Sequence, residues 1–277
     1  MLAHESHSVD EILFRNYILW ANLWEESGLI YRSPVYDDLD PTEKSSISYF
    51  LGMAIAKLFA AHLLFAPWMV HLDRLVDRYA VGLIGRSRPD LAGQDSSGRW
   101  ILVEGKGRSG GYSKVALDQA KAQVLQVRHI DGVSPYLRVG AEMCFEDHLT
   151  MYIDDPEPPF QDYVDLEIGS RYLRKTYYKR FLPLRSLRTR TQILEDREYA
   201  TVDYKSIGVS VGVWEEVDKL VTSEAPVVIS KLDKEQPRIT KGDDNGPWMY
   251  QTYPDGIAVG VDERWSKNSM KLMPLER

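Results

Sequence analysis

The apolar run Trp100-Ile101-Leu102-Val103 leads without a break into Glu104-Gly105-Lys106. A strand over 99–106 accounts for the run, and strand alternation then sets Glu104 and Lys106 on one face, two residues apart. Upstream, Pro89-Asp90 opens a second strand over 89–94, and Gln94-Asp95-Ser96-Ser97-Gly98 is the turn cluster of a hairpin between the two. That hairpin returns Asp90, fourteen positions before Glu104, to the same end of the sheet as Glu104 and Lys106.

The surrounding texture gives the architecture. Residues 9–24 carry apolar side chains at helical spacing. After the polar stretch 33–46, Ser45 or Ser46 caps a second, largely buried helix reaching about Phe65, and Pro67 stops it and opens a further segment through Tyr79. The first ~80 residues therefore read as helical. Strands follow near 80–85, 89–94 and 99–106, then a Gly107 to Gly111 connector, then a helix over 113–128 with Leu117, Ala120, Val124 and Val127 on one face. Strands over 136–145 and 149–153 flank a Glu146-Asp147-His148 turn. The order α, β-β-β, α, β-β implies an α/β fold, a central mixed sheet with helices on its faces.

Pro156-Glu157-Pro158-Pro159 marks a boundary, dividing the chain into an N-terminal helical region (1–67), a core (68–156) and an α+β extension (157–277). In the extension the sequence predicts a basic helical segment to about Arg190, strands near 198–204 and 226–232, a helix near 213–222 and a hairpin at Pro254-Asp255-Gly256.

Composition narrows the setting. The single cysteine, Cys144, excludes an intramolecular disulfide framework and a Cys-rich zinc site, and fits a reducing, cytoplasmic location. The six histidines show no ligand spacing. The N-terminus lacks a basic patch followed by an apolar run, and the apolar stretch 50–70 is interrupted by Lys57, His62 and Pro67, so it reads as a core helix and not a membrane span. The net charge of −7 argues against nucleic acid only as an average. Residues 142–170 hold nine acids and no Lys or Arg, whereas 171–190 hold eight basic residues and no acid. That basic segment, with Arg171, Arg174, Lys175, Lys179 and Arg180 among Tyr172, Tyr177, Tyr178 and Phe181, is a candidate contact for a phosphate backbone. Arg108 and Lys121 are further candidates.

Two carboxylates at one end of a sheet suit a hard divalent cation, Mg²⁺ or Mn²⁺, held by Asp90 and Glu104 with the Gly105 carbonyl as another oxygen ligand. An ammonium beside them suits phosphodiester hydrolysis, where water must be activated and charge on phosphate oxygens neutralised. Pro89-Asp90 followed by Glu104-Gly105-Lys106, with the acid on one hairpin strand, E-x-K on the next and a helix behind, resembles the PD-(D/E)XK nuclease superfamily over residues 68–155. The resemblance implies a restriction-endonuclease-like fold, metal binding by Asp90 and Glu104, and assistance to the attacking water by Lys106. It also implies a Gln or Lys near the site from the following helix, for which Gln119, Lys121 and Gln123 stand in the right segment, Gln119 and Gln123 one turn apart. No acid lies in 47–65, where some family members place another carboxylate. DNA as substrate, a role in restriction or phage defence, a homodimer for double-strand cutting and a partner protein of a defence system are what the resemblance implies.

Two other functions use the same residues: a non-catalytic nucleic-acid-binding or regulatory protein on this fold, and an RNA-cleaving nuclease. A third pattern, Gly105-x-Gly107-x-x-Gly110, formally matches a dinucleotide fingerprint. Glu104 and Lys106 would crowd the turn where a pyrophosphate meets bare backbone, and Asp131 follows a helix-to-strand junction, so that reading is set aside.

Overall fold

A computed structural model describes residues 11, 14–15, 17–76, 88–157, 163–205, 207–222, 239–242 and 248–263. They divide into two compact units, Val9–Tyr177 and a second containing Tyr178–Arg277. The protein is a mixed α/β chain with a mixed five-stranded sheet packed against helices, plus an antiparallel curled half-barrel sheet.

In the first unit, helical turns at 17–22 give way to a hairpin, β1 (Leu23–Glu26) and β2 (Leu29–Arg32). The expected helix therefore ends before Leu23. Ser27 and Gly28 at its turn take the positive φ that a two-residue hairpin demands. A short helix α1 (Pro34–Asp38) precedes α2 (Pro41–Leu63). The cap of α2 is Asp40, not Ser45 or Ser46. Its carboxylate accepts the N–H groups of Thr42 and Glu43, Glu43 reaches back to the Asp40 N–H, and Pro41 occupies the first turn. This capping box starts the helix one turn earlier than apolar periodicity suggests, and contributes about 1 kcal/mol. By length and hydropathy α2 could cross a membrane; here Met53, Ala56 and Ala60 are buried in the core of this unit.

The sheet runs in the order β3-β4-β5-β7-β8, from β3 (Trp68–His71), β4 (Leu91–Gln94), β5 (Trp100–Gly107), β7 (Leu137–Phe145) and β8 (Leu149–Asp154). β5 and β7 are parallel and the other neighbours antiparallel. A parallel step needs a crossover, which α3 (Lys114–Val124) supplies. Residues 68–71 thus form a strand where the sequence predicts a helical segment, because Pro67 resets the backbone and β-favouring Trp68 and Val70 pair with β4. The strand expected near 80–85 lies outside the described residues. Helix α3 stops at Val124, and Val127 belongs to β6 (Val127–Ile130), paired in parallel with β9 (Val164–Leu166). β-branched Val127 and Ile130 with Arg138 hydrogen-bonded to the Val127 and Arg128 carbonyls favour the strand.

Alternation divides the two faces. Ile101 and Val103 of β5 pack with Val139 and Ala141 of β7 on Met53, Ala56 and Ala60 of α2. The opposite face meets α3, where Gly140 lies so close to Ala120 and Lys121 that a Cβ would touch their backbone.

In the second unit, β10 (Arg190–Leu194), β11 (Arg197–Tyr204), β12 (Val209–Trp214), β13 (Ile239–Lys241), β14 (Met249–Thr252) and β15 (Ile257–Val261) form an antiparallel sheet ordered β10-β11-β12-β15-β14-β13. The expected helix over 213–222 shortens to α6 (Val217–Thr222), since Val209, Val211 and Val213 take the pattern of a strand. The strand expected near 226–232 lies outside the described residues. The hairpin at Pro254-Asp255-Gly256 is present, with Gly256 at positive φ. The basic segment does not run as one helix. It comprises α4 (Ser170–Tyr178), α5 (Leu182–Ser186) and the start of β10. Arg185 and Arg188 pair with Glu215, and Arg190 with Asp203. Arg190 also donates to Tyr250, which donates to Ser210, closing a polar network beside the Tyr199, Trp248 and Tyr250 core.

Candidate active site

The β4-β5 register pairs Leu91 with Val103, so the next step sets Asp90 opposite Glu104. Their contacts interlock. The Asp90 N–H donates to Glu104 Oε2 at 2.8 Å, and the Gly105 N–H donates to Asp90 Oδ2 at 3.3 Å. Lys106 Nζ donates to Glu104 Oε1 at 2.6 Å and to Gln123 Oε1 at 2.5 Å. Gln123 in turn donates through Nε2 to the Arg88 carbonyl at 3.0 Å. Asp90, Glu104, Lys106 and Gln123, all candidates from the sequence, therefore come together. Gln119 does not join them; it is exposed one turn away, because Gln123 alone lies where α3 crosses the end of β5.

Helix α2 covers the other face of this strand end at close range. An added Cβ on Gly105 would meet Ala56 at 3.2 Å, and on Gly107 the Ser48 carbonyl oxygen at 1.8 Å. The glycines after Glu104 and Lys106 are thus explained by helix packing and not by a pyrophosphate cradle. Tyr49 of α2 is not singled out by sequence. Partial burial, then the negative charges of Asp90, Glu104 and Asp73, raise its phenol above the ordinary tyrosine range. An aromatic on a helix gives no signal for this in sequence. Asp73, held by Arg88 at 2.5 Å, is likewise an addition that only the fold supplies.

Glu104 is 1% exposed. Burial, then repulsion from Asp90, push its carboxyl up to about 7 against the pull of Lys106. Burial raises Asp90 as well. The donor set suits a hard divalent cation: two carboxylates and the Gly105 carbonyl from the same strand end. A cation between them would relieve the repulsion that holds Glu104 up. Among the described residues no group of three or more His, Cys, Asp and Glu gathers, so remaining ligands would be water and substrate oxygens, the usual pattern for Mg²⁺.

The raised carboxyl ties stability to pH. Because the folded pKa of Glu104 exceeds its unfolded value of about 4.5, its contribution to stability is complete below pH ~4.5 and is lost as pH rises through about 7. The loss is on the order of 3 kcal/mol. Thermal unfolding in EDTA should show a Tm falling across this window by roughly 8 °C more than in Glu104→Gln, with Mg²⁺ removing the difference. A slope identical in both proteins would contradict the assignment.

The other predicted contacts are scattered. Arg108 pairs with buried Glu142 at 3.3 Å, and Lys121 with Asp154 at 2.7 Å on β8. On α4, Arg171 and Lys175 are exposed, as are Lys179 and Arg180 beyond it. Arg174 is 1% exposed and so does not present its guanidinium to a phosphate backbone; it turns inward beside Leu173 in a helix that buries that face. Cys144 is buried, and burial pushes its thiol up to about 11, the reverse of a nucleophile. Comparison of the chain with family models, with curated proteins and with solved structures returns no match, so a functional reading has the chemistry of the site as its ground.

Proposed function

We propose that this chain is a metal-dependent nuclease that hydrolyses phosphodiester bonds in DNA, on a restriction-endonuclease-like core. The observation that carries the reading is the interlocked set Asp90, Glu104, Lys106 and Gln123 at one end of a mixed sheet. A structural ion pair needs Glu104 and Lys106 alone. It gives no reason to bury a second carboxylate against the first, an arrangement that costs stability at neutral pH.

Asp90 and Glu104 would hold Mg²⁺ or Mn²⁺, which when bound supplies charge neutralisation at the phosphate and a more acidic water. Lys106, fixed by Glu104 and Gln123, keeps a third N–H for the substrate and can hold the attacking water or the phosphate oxygen that gains charge. Gln123 is a positioning residue: its carbonyl accepts from Lys106 while its amide is tied to the Arg88 backbone, which fixes both its orientation and that of the ammonium. Exposed Arg171 and Lys175 of α4 are candidates for phosphate contacts. Restriction or phage defence, and a dimer acting on both strands, remain the setting implied by the family resemblance.

The test is incubation of the wild-type chain with supercoiled, linear and single-stranded DNA and with RNA, in Mg²⁺, Mn²⁺ or EDTA. Cutting of DNA in either metal and none in EDTA is expected. Cutting of RNA alone would move the substrate to ribose-containing strands. Binding without cutting under every condition would support a binding protein on the same fold.

A further inference from the structure

Beyond the acid pair, the line of β5 carries a third charged side chain in the same series. The Arg108 N–H donates to the Met143 carbonyl at 2.9 Å, which extends the parallel β5-β7 ladder by one residue past Gly107. Alternation therefore puts Arg108 on the face that bears Glu104 and Lys106, about 6.6 Å beyond Lys106 along the strand. That spacing is close to the separation of neighbouring phosphates in a nucleic-acid strand.

The way Arg108 is held is informative. Its Nε donates to the Gly111 carbonyl at 3.3 Å and lies 3.3 Å from Glu142 Oε1. Neither Nη group has a hydrogen-bond partner among the described residues, and the side chain is 41% exposed. Glu142, which pairs in register with Lys106, is fully buried. Its Oε1 also accepts the Ser113 N–H at 2.8 Å, and its Oε2 has no partner among the described residues. Leaving a buried carboxylate oxygen unpaired is unfavourable, and anchoring one loop, which a backbone turn could close, does not require it. The loop is tied elsewhere too, with Arg32 Nη1 donating to the Ser109 carbonyl at 2.8 Å.

We infer that Glu142 is a positioning residue whose charge, with the Gly111 carbonyl that accepts the Nε–H, holds the Arg108 guanidinium by its Nε edge and presents both Nη amines as a preformed fork for the nucleic-acid phosphate next to the one that is cleaved. The inference rests on the nuclease reading for the identity of that phosphate. The fork itself requires only that the chain binds a phosphodiester strand. A guanidinium held from behind loses little entropy when it takes a phosphate end-on, whereas a free arginine must be ordered first.

The experiment is fluorescence anisotropy with a labelled duplex DNA in EDTA, where nothing is cut, over a series of salt concentrations. Arg108→Ala should weaken binding about 10-fold and reduce the salt slope by about 1. Glu142→Gln keeps an acceptor for the Ser113 N–H, removes the charge that grips Arg108, and should weaken binding several-fold with the salt slope unchanged. The double variant should bind like Arg108→Ala, since the two losses are one interaction. A purely structural Glu142 would lower Tm, leave the affinity of the folded protein unchanged, and overturn the inference. So would an Arg108→Ala protein with unchanged affinity and slope, or a wild type that does not bind. If the variants behave as expected while wild type fails to cut in Mg²⁺ or Mn²⁺, the phosphate fork stands and the nuclease reading falls.

Discussion

Asp90→Asn is expected to abolish cutting while making the metal-free protein more stable at pH 8. The two effects share a cause. Asparagine keeps an oxygen for the Gly105 N–H and keeps the backbone N–H that meets Glu104. It removes the negative charge that, after burial, holds Glu104 up. Relief of that repulsion should contribute on the order of 1–2 kcal/mol, raising Tm in EDTA by roughly 3–6 °C. The same substitution deletes one of two carboxylates proposed to hold the cation, so cleavage should fall by at least about 10³ and the gain in Tm on adding Mg²⁺ should disappear. Thermal scans with and without Mg²⁺ read the second half of the prediction independently of any substrate. A variant less stable than wild type in EDTA, and still stabilised by Mg²⁺, would show that Asp90 is structural.

Gly107→Ala is expected to have the largest effect on folding of any single methyl group in the first unit. The new Cβ would stand 1.8 Å from the Ser48 carbonyl oxygen, 2.6 Å from its carbon and 3.2 Å from the Gly52 Cα, all backbone of α2. Backbone cannot swing aside as a side chain can. Either α2 lifts from β5, exposing the core around Met53 and Ala56, or the end of β5 bends and carries Lys106 away from Gln123. Overpacking of this kind costs about 3–5 kcal/mol, above the usual range for one added methyl because neither neighbour can change rotamer. Urea unfolding measures it, and a loss below about 1 kcal/mol would mean that the helix and strand are not in this contact. Gly110→Ala, with open space around it, is the control and should be nearly neutral.

These two positions also show what a sequence can and cannot disclose. The acid pair and Lys106 are legible because strand alternation and hairpin return are local rules: they need only residues 89–106 and the turn between them. Gln123 is legible by helical spacing after a connector of known length, but spacing alone does not separate it from Gln119, since the choice depends on how α3 is rotated over the sheet. Gly107 is visible only as part of a glycine run that also fits a dinucleotide loop. The contact that explains it joins residues 48 and 107, and no local pattern encodes such a pairing. For the same reason Arg174 looks like its basic neighbours until the fold turns it inward. Helix α2 begins after Asp40 because a capping box outweighs the polar character of 40–46, and β3 is hidden because Trp68-Met69-Val70 is apolar in either conformation until β4 arrives to pair with it. Glu142 carries no signal at all in sequence. It lies in an acid-rich stretch, and only burial and register separate it from solvent-facing Glu146.

If Asp90, Glu104 and Lys106 form one hydrolytic centre, removing either Asp90 or Lys106 should stop the reaction. The most direct measurement is the rate of nicking of supercoiled DNA in Mg²⁺ by wild type, Asp90→Asn and Lys106→Ala, each at the same folded concentration and each compared with EDTA. Metal-dependent nicking by wild type is expected, with losses of about 10³ or more in both variants and DNA binding in EDTA largely retained. Nicking that persists in both variants, or that EDTA leaves unchanged, would contradict a single hydrolytic centre.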